Sequence, residues 1–372
     1  MRTSPYCKAP WTGLVYEGTV GCKPCCEWKG EAFHDTYTNY IKSDYLKEFK
    51  TKMYADEMHL SCIECINVEK RGAVPSRRQK YEHIDVEYSD GIPNLTRLDY
   101  RPGNKCNLMC RMCWPGASSL LEEEEKSNPY GSKIMHSVNL DTSDCYDIDL
   151  SNVKKLQILG GEPSIDLELR KWINHHKDFD GYIGITTNAT NSSDKWFNTL
   201  RQLKRLELTL SIDATGSVQE FQRFKRDWKE IKENVYKYKE NFKNVIIHLT
   251  ATAINFPVID TWWEEMMEFN IPLYFGLVYF PEEYSLDAIP KEYKDYQVAW
   301  LRKWIKYVHF HDNYYSAIRQ ISEAEEAIEI LESSEYKETF AVKFKDRVKW
   351  HDEKRNQRIE DLDYRFEEIM NE

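Results

Sequence analysis

A chain of 372 residues with 41% apolar and 30% charged side chains has the composition of a soluble globular protein. Its net charge of −11 supplies no overall positive field, so nucleic acid is not an expected partner despite the local pair Arg77–Arg78. No run approaches the roughly 18 uncharged apolar residues of a membrane span, and Met1 to Tyr6 lead into Cys7 without an apolar signal core, so the expectation is a cytoplasmic protein with no membrane segment.

In that compartment ten cysteines are not expected to form disulfides, and thiols in short-spaced groups more often hold metals. All but Cys145 fall into three such groups. Cys145 reads as a small buried hydrophobe.

Residues 1–90 carry six cysteines, Cys7, Cys22, Cys25, Cys26, Cys62 and Cys65, and few apolar runs of strand character. Ser43 reads as an N-cap, and Tyr45, Leu46, Phe49 and Met53 follow at the spacing of one helix face. A segment this poor in apolar runs gains from a metal staple.

From residue 91 to 290 the pattern alternates. Strand-like runs at Leu95–Tyr100, Lys155–Leu159, Tyr182–Thr187, Leu206–Ile212, Val245–Ala253 and Leu273–Phe280 are separated by amphipathic stretches near 164–177, 194–204, 217–240 and 258–269. Six strands alternating with helices predict an α/β fold with a parallel sheet, which places its chemistry at the carboxyl ends of the strands. Residues 291–372 read as a helical C-terminal extension, with Trp300, Trp304, Tyr307 and Val308 as an apolar stripe. The last forty residues are highly charged, and their Phe, Val and Trp positions are expected to pack.

The first strand of the alternating region runs into Cys106-Asn107-Leu108-Met109-Cys110-Arg111-Met112-Cys113. A CxxxCxxC loop can wrap three thiolates around one face of an iron–sulfur cluster. Electron-transfer clusters have four cysteine ligands, so a trio with no close fourth leaves one iron open, as catalytic metal sites do. The competing reading is a zinc loop completed by a distant ligand.

The second strand ends in Gly160-Gly161-Glu162-Pro163. Two glycines permit close backbone approach, and Glu162 supplies a hydrogen-bond acceptor; a plain Gly-Pro turn is the alternative. Asn188 follows the third strand, where it could equally be a turn former. Ser211 and Asp213 share one side of the fourth strand, or else cap the next helix. Arg223, ten residues on, offers a planar bidentate donor or is a solvated helix arginine. Thr252 and Asn255 end the fifth strand, where capping is at least as good a reading as ligand contact. The sixth strand offers apolar backbone.

The cysteine octapeptide resembles the signature of the radical S-adenosylmethionine (SAM) superfamily in full spacing, and the resemblance extends over roughly residues 94–290. It implies a partial (β/α)6 barrel and a 4Fe-4S cluster on Cys106, Cys110 and Cys113 whose open iron chelates SAM. It also implies reductive cleavage of SAM to a 5'-deoxyadenosyl radical that abstracts hydrogen from a substrate, and an electron donor of reduced flavodoxin or ferredoxin type. Gly160, Gly161, Glu162, Asn188, Ser211, Asp213 and Arg223 match cofactor-binding positions; the resemblance implies that Glu162 meets the SAM amino group, Ser211 and Asp213 the ribose and amino group, and Arg223 the carboxylate. Met112 departs from the aromatic residue usual at its position, which leaves the adenine contact to be made by a thioether.

The N-terminal cysteines resemble a twitch or SPASM-like auxiliary-cluster module, placed here before the barrel rather than after it. That implies a second 4Fe-4S cluster on Cys7, Cys25, Cys62 and Cys65. Cys22 or Cys26 could replace Cys25, and a structural zinc ribbon with four cysteine ligands is the alternative to iron. Relatives with such a module imply a peptide or protein side chain as substrate. Modification of a nucleotide or sugar, and a non-catalytic metal-binding or redox-sensing role, are the alternatives.

Overall fold

The computed structural model describes residues 6–71, 75–89, 92–129, 143–278, 280–311 and 314–371. The chain divides into two compact units. The first comprises Met1–Lys105, Met135–Thr186 and Ser193–Glu207; the second comprises Cys106–Ile134, Thr187–Ser192 and Leu208–Glu372.

The first unit is built on β1 (Gly13–Glu17), β2 (Gly21–Lys23), β3 (Arg97–Arg101), β4 (Lys155–Ile158) and β5 (Tyr182–Thr187), in the order β2-β1-β3-β4-β5. All neighbours run parallel except the β1–β2 hairpin. Leu98, Leu156, Ile158, Ile183 and Ile185 are buried, and Tyr100 packs at 4.3 Å on Trp172 of helix Leu167–His175. Asp166 caps that helix, accepting from the Glu168 and Leu169 amides.

The N-terminal segment differs from its sequence reading in one respect. Few as its strand-like runs are, it contributes β1, which pairs with β3 from Gly13↔Arg97 to Glu17↔Arg101. All five residues of β1 are buried, and a strand covered on both faces shows no alternation by which to recognise it. The predicted helix forms at Asp44–Tyr54, its Leu46 amide bonded to Ser43 Oγ at 3.2 Å. Its Phe49 and Met53 meet Trp11 and Trp28 in a small separate core.

In the second unit β6 (Leu206–Ser211), β7 (Val245–Ala251) and β8 (Leu273–Leu277) are mutually parallel, with Val245 beside Leu208 and Leu249 beside Phe275. The stretch read as one helix over 217–240 is two, Gly216–Gln222 and Trp228–Asn241. Between them Arg223-Phe224 pairs antiparallel with Met109–Cys110, and Asp227 caps the second helix. A local periodicity carries no sign of a break imposed by a distant partner. The C-terminal helices are Lys291–His311, Tyr314–Ser333, Glu338–Arg355 and Tyr364–Asn371. Trp304 and Val308 are buried as the stripe predicts, whereas Tyr307 is 61% exposed. The architecture is mixed α/β with largely parallel strands, consistent with a partial barrel, followed by helices. No helix among the described residues is long and apolar enough to cross a membrane.

Candidate active site

The three-cysteine loop belongs to the second unit, and short-range hydrogen bonds shape it. Arg111 N donates to Gln222 O at 2.8 Å, beside the Cys110↔Arg223 pair. Cys113 N donates to Cys110 O at 3.0 Å, which tightens the CxxC turn. Ser118 Oγ donates to Leu108 O at 2.7 Å and accepts from Leu121 N, so one hydroxyl ties the loop to the helix Ser119–Glu125 that it caps. Cys110 is buried, and Cys106 and Cys113 are half-buried.

Burial pushes the Cys113 thiol up, and the neighbouring Cys110 and Cys106 push it further. Cys110 is raised too, by burial first, while the Arg223 guanidinium opposes the shift. Thiols whose pKa values burial raises in this way are costly to ionise alone, and a bound cationic cluster would remove that cost. The donor set therefore fits an iron–sulfur group.

Arg223 joins the loop to the fourth predicted strand. Its Nε donates to Asp213 Oδ2 at 2.6 Å, and Nη1 lies 3.8 Å from Cys110 Sγ. Asp213 is fully buried; its other oxygen accepts from Thr250 N at 2.9 Å, and its amide donates to Gln219 Oε1. Its carboxylate is thus engaged by the protein. Ser211 is half-buried at the end of β6, and Asp213 lies two residues beyond it rather than on the strand. Asn188 donates to Asn107 Oδ1 at 3.0 Å and accepts from Thr190 N and Oγ1, while Asn107 Nδ2 reaches Thr190 Oγ1 at 2.8 Å. The loop after the third strand is therefore fastened to the residue following Cys106. Thr252 and Asn255 bond to each other, Thr252 Oγ1 accepts from the Ile254 and Asn255 amides, and Asn255 Nδ2 donates to Asp213 O and Thr250 O, so Asn255 ties the turn to its neighbours without capping the helix that follows.

In the first unit, Gly160 adopts φ +130°, and a Cβ on Gly161 would strike the backbone of Lys105 and Asn104. Gly161 N donates to Gly103 O at 3.1 Å and Glu162 N to Lys105 O at 2.8 Å. The glycines thus serve first to lay this turn against the chain that leads into Cys106. Glu162 is buried, and its Oε1 accepts from Ser164 N at 3.0 Å.

Also in the first unit, Cys7, Cys25, Cys62 and Cys65 line one pocket, walled by Phe49, Met53, Met58, Ile66 and the two arginines Arg77 and Arg78. Burial pushes Cys62 up to about 12 and Cys7 up to about 11. The Cys25 thiol is raised by burial and by Cys26, Cys7 and Cys65. Cys22 lies in β2, where its backbone pairs with Phe33 and its thiol points to Asp35 O. Cys26 turns toward Glu27, with Arg77 acting on it. Neither lines the pocket. Cys145 is fully buried as expected.

Sequence reasoning missed Asn107, Thr190, Gln219 and Arg111. Asn107 and Arg111 stand inside the cysteine motif, but nothing local identifies their partners.

Residues 100–269 match the family model described as the Radical SAM superfamily. That segment, just under half of the chain, carries the sequence of a radical SAM enzyme domain. No curated protein matches it in sequence. Among solved structures it is similar to anSMEcpe with bound AdoMet and Cp18Cys peptide, at 15% identity and TM-score 0.40, over 57% of this chain and 59% of that one. It is also similar to SuiB of Streptococcus suis bound to precursor peptide SuiA, at 14% identity and TM-score 0.41, over 68% of this chain and 62% of that one. The chain thus spans about three fifths of the length of each.

Proposed function

We propose that this enzyme binds a 4Fe-4S cluster through Cys106, Cys110 and Cys113, cleaves SAM reductively, and abstracts hydrogen from a peptide or protein side chain. When bound, the cluster and SAM supply one-electron cleavage of the sulfonium to a deoxyadenosyl radical. The observation that carries this reading is the Asp213–Arg223–Cys110 chain within the family segment. Asp213 orients Arg223, whose guanidinium beside Cys110 would be placed to receive the SAM carboxylate. Glu162, Ser211 and Asn188 complete the SAM contacts, Asn188 also fixing the loop at Asn107.

Iron is favoured over zinc at Cys106, Cys110 and Cys113 by their place inside the segment that matches the radical SAM family model.

We further propose that residues 1–90 hold an auxiliary 4Fe-4S cluster on Cys7, Cys25, Cys62 and Cys65, that 91–290 form a partial barrel, and that 291–372 are a helical extension. The shared pocket of the four cysteines supports the ligand set. The substrate class rests on the resemblance of these cysteines to the auxiliary module of peptide-modifying relatives, and a reduced flavodoxin or ferredoxin is the proposed donor. The test is anaerobic reconstitution with iron and sulfide, then SAM and a reductant. Deoxyadenosine should form, and candidate peptides should stimulate it. Stimulation by a nucleotide or sugar alone would overturn the substrate class, and absence of SAM cleavage the whole reading.

A further inference from the structure

The cysteine motif contains a buried arginine that the SAM chemistry does not use. Arg111, between Cys110 and Cys113, has no exposed surface. Its Nε donates to Phe221 O at 3.1 Å, and Nη2 donates to Asp352 Oδ1 at 2.6 Å and Gln357 Oε1 at 3.0 Å. The guanidinium carbon lies 3.7 Å from the centroid of the Phe221 ring. Asp352 Oδ2 in turn accepts from Ile359 N at 2.8 Å.

A second set of bonds runs from the same C-terminal helix to the helix that follows the loop. Arg355 binds Glu124 through Nε at 2.9 Å and Nη2 at 2.5 Å. Arg347 binds both oxygens of Glu125. His351 sits between them, its Nδ1 at 2.8 Å from Tyr284 OH and its Nε2 at 3.6 Å from each carboxylate. Although Glu124, Glu125 and His351 are close enough to hold a metal ion, both carboxylates already have bidentate guanidinium partners, whose charge would repel a cation. This is an ionic seam.

We infer that helix Glu338–Arg355 is a clamp on the radical-cluster loop, with Arg111 and Asp352 as positioning residues that hold Cys110 and Cys113 in the geometry the cluster requires. The physical reason is the depth of the ion pair. A side chain fixed by Phe221 O, Asp352, Gln357 and a ring face cannot turn without losing several buried bonds at once, so the CxxC backbone that carries it is rigid. Groups that orient metal ligands in this way typically affect metal affinity about 10–100-fold.

This inference rests on the radical SAM reading, and the wild-type protein separates the two. Wild type, Asp352→Glu, Asp352→Asn and the double variant Arg111→Met/Asp352→Leu would be reconstituted anaerobically and reduced. The readouts are the change that SAM induces in the cluster's EPR signal, and thermal melting by circular dichroism. The double variant removes both charges together, so neither is left buried without its counter-charge. The expected result is a SAM-responsive signal about tenfold weaker in the double variant and in Asp352→Asn, restored in Asp352→Glu, with helix content kept. A signal of wild-type strength in the double variant would overturn the clamp, and so would unfolding of both charge-removing variants, which would make the seam a determinant of the fold. A wild-type protein with no SAM-responsive signal would sink the radical SAM reading instead.

Discussion

Arg223 Nε donates to the buried Asp213 carboxylate at 2.6 Å, and the same guanidinium reaches within 3.8 Å of Cys110 Sγ. The cation therefore faces two groups at once, the Asp213 carboxylate and the sulfur of Cys110. Replacing Asp213 with Asn leaves Arg223 without its counter-charge, and losing one partner of a buried pair costs about 3–5 kcal/mol. The Asp213→Asn variant should melt at lower temperature and bind SAM more weakly, as calorimetry and equilibrium binding would show. Unchanged SAM affinity would remove Arg223 from the SAM site.

Cys110→Ala should abolish deoxyadenosine formation while iron at the N-terminal site remains. Iron analysis and EPR of the reduced protein would report both.

The pocket divides the N-terminal cysteines. Cys25→Ala and Cys62→Ala should each lower bound iron, whereas Cys22→Ala should not, because Cys22 is held in β2 away from the pocket. Equal iron in Cys62→Ala and wild type would favour a zinc staple.

At Gly161 an added methyl meets Lys105 and Asn104 backbone. Gly161→Ala should destabilise by about 1–3 kcal/mol or more, the range for overpacking a filled site. It should also impair cluster assembly at the adjoining Cys106. Chemical denaturation and iron content would test the two effects separately.

His351 is held well below its ordinary value, by burial first and then by repulsion from Arg355, Arg347 and Arg111. Tyr284, Glu124 and Glu125 also face it. The folded state keeps it neutral, while the unfolded chain takes up a proton below about pH 6.5. Its contribution to stability is therefore present above that pH and is lost as pH falls through it. The slope approaches about 1.4 kcal/mol per pH unit for the one proton. His351→Asn should reduce the acid dependence of unfolding between about pH 6.5 and 5 by that proton's share; His176, lowered to about 4 by burial and by His175, retains its own.

What could be read along the chain was what repeats or clusters locally. Tyr182–Thr187 was bounded to the residue, because its apolar and β-branched run is flanked by turn residues. The cysteine loop is legible because three cysteines sit within eight residues. Helix Asp44–Tyr54 was legible from its cap and its apolar spacing. The single helix drawn through Arg223 was not correct, since the break there answers to Met109–Cys110, more than a hundred residues earlier.

The cysteine trio, the turn at Gly160-Gly161 and the alternating strands and helices are written in the chain itself, because each is set by near neighbours or by periodicity. Long-range packing alone brings β1 into the sheet, puts Cys25 rather than Cys22 or Cys26 on the wall of the N-terminal pocket, and turns the charged C-terminal tail inward. The arginines of that tail and Asp352 look solvated when read alone, since polar residues on a helix normally face water. Arg347 and Arg355 are buried, and Asp352 is half-buried, because Arg111, Glu124 and Glu125, more than two hundred residues away, supply the opposite charges that offset the cost of leaving water.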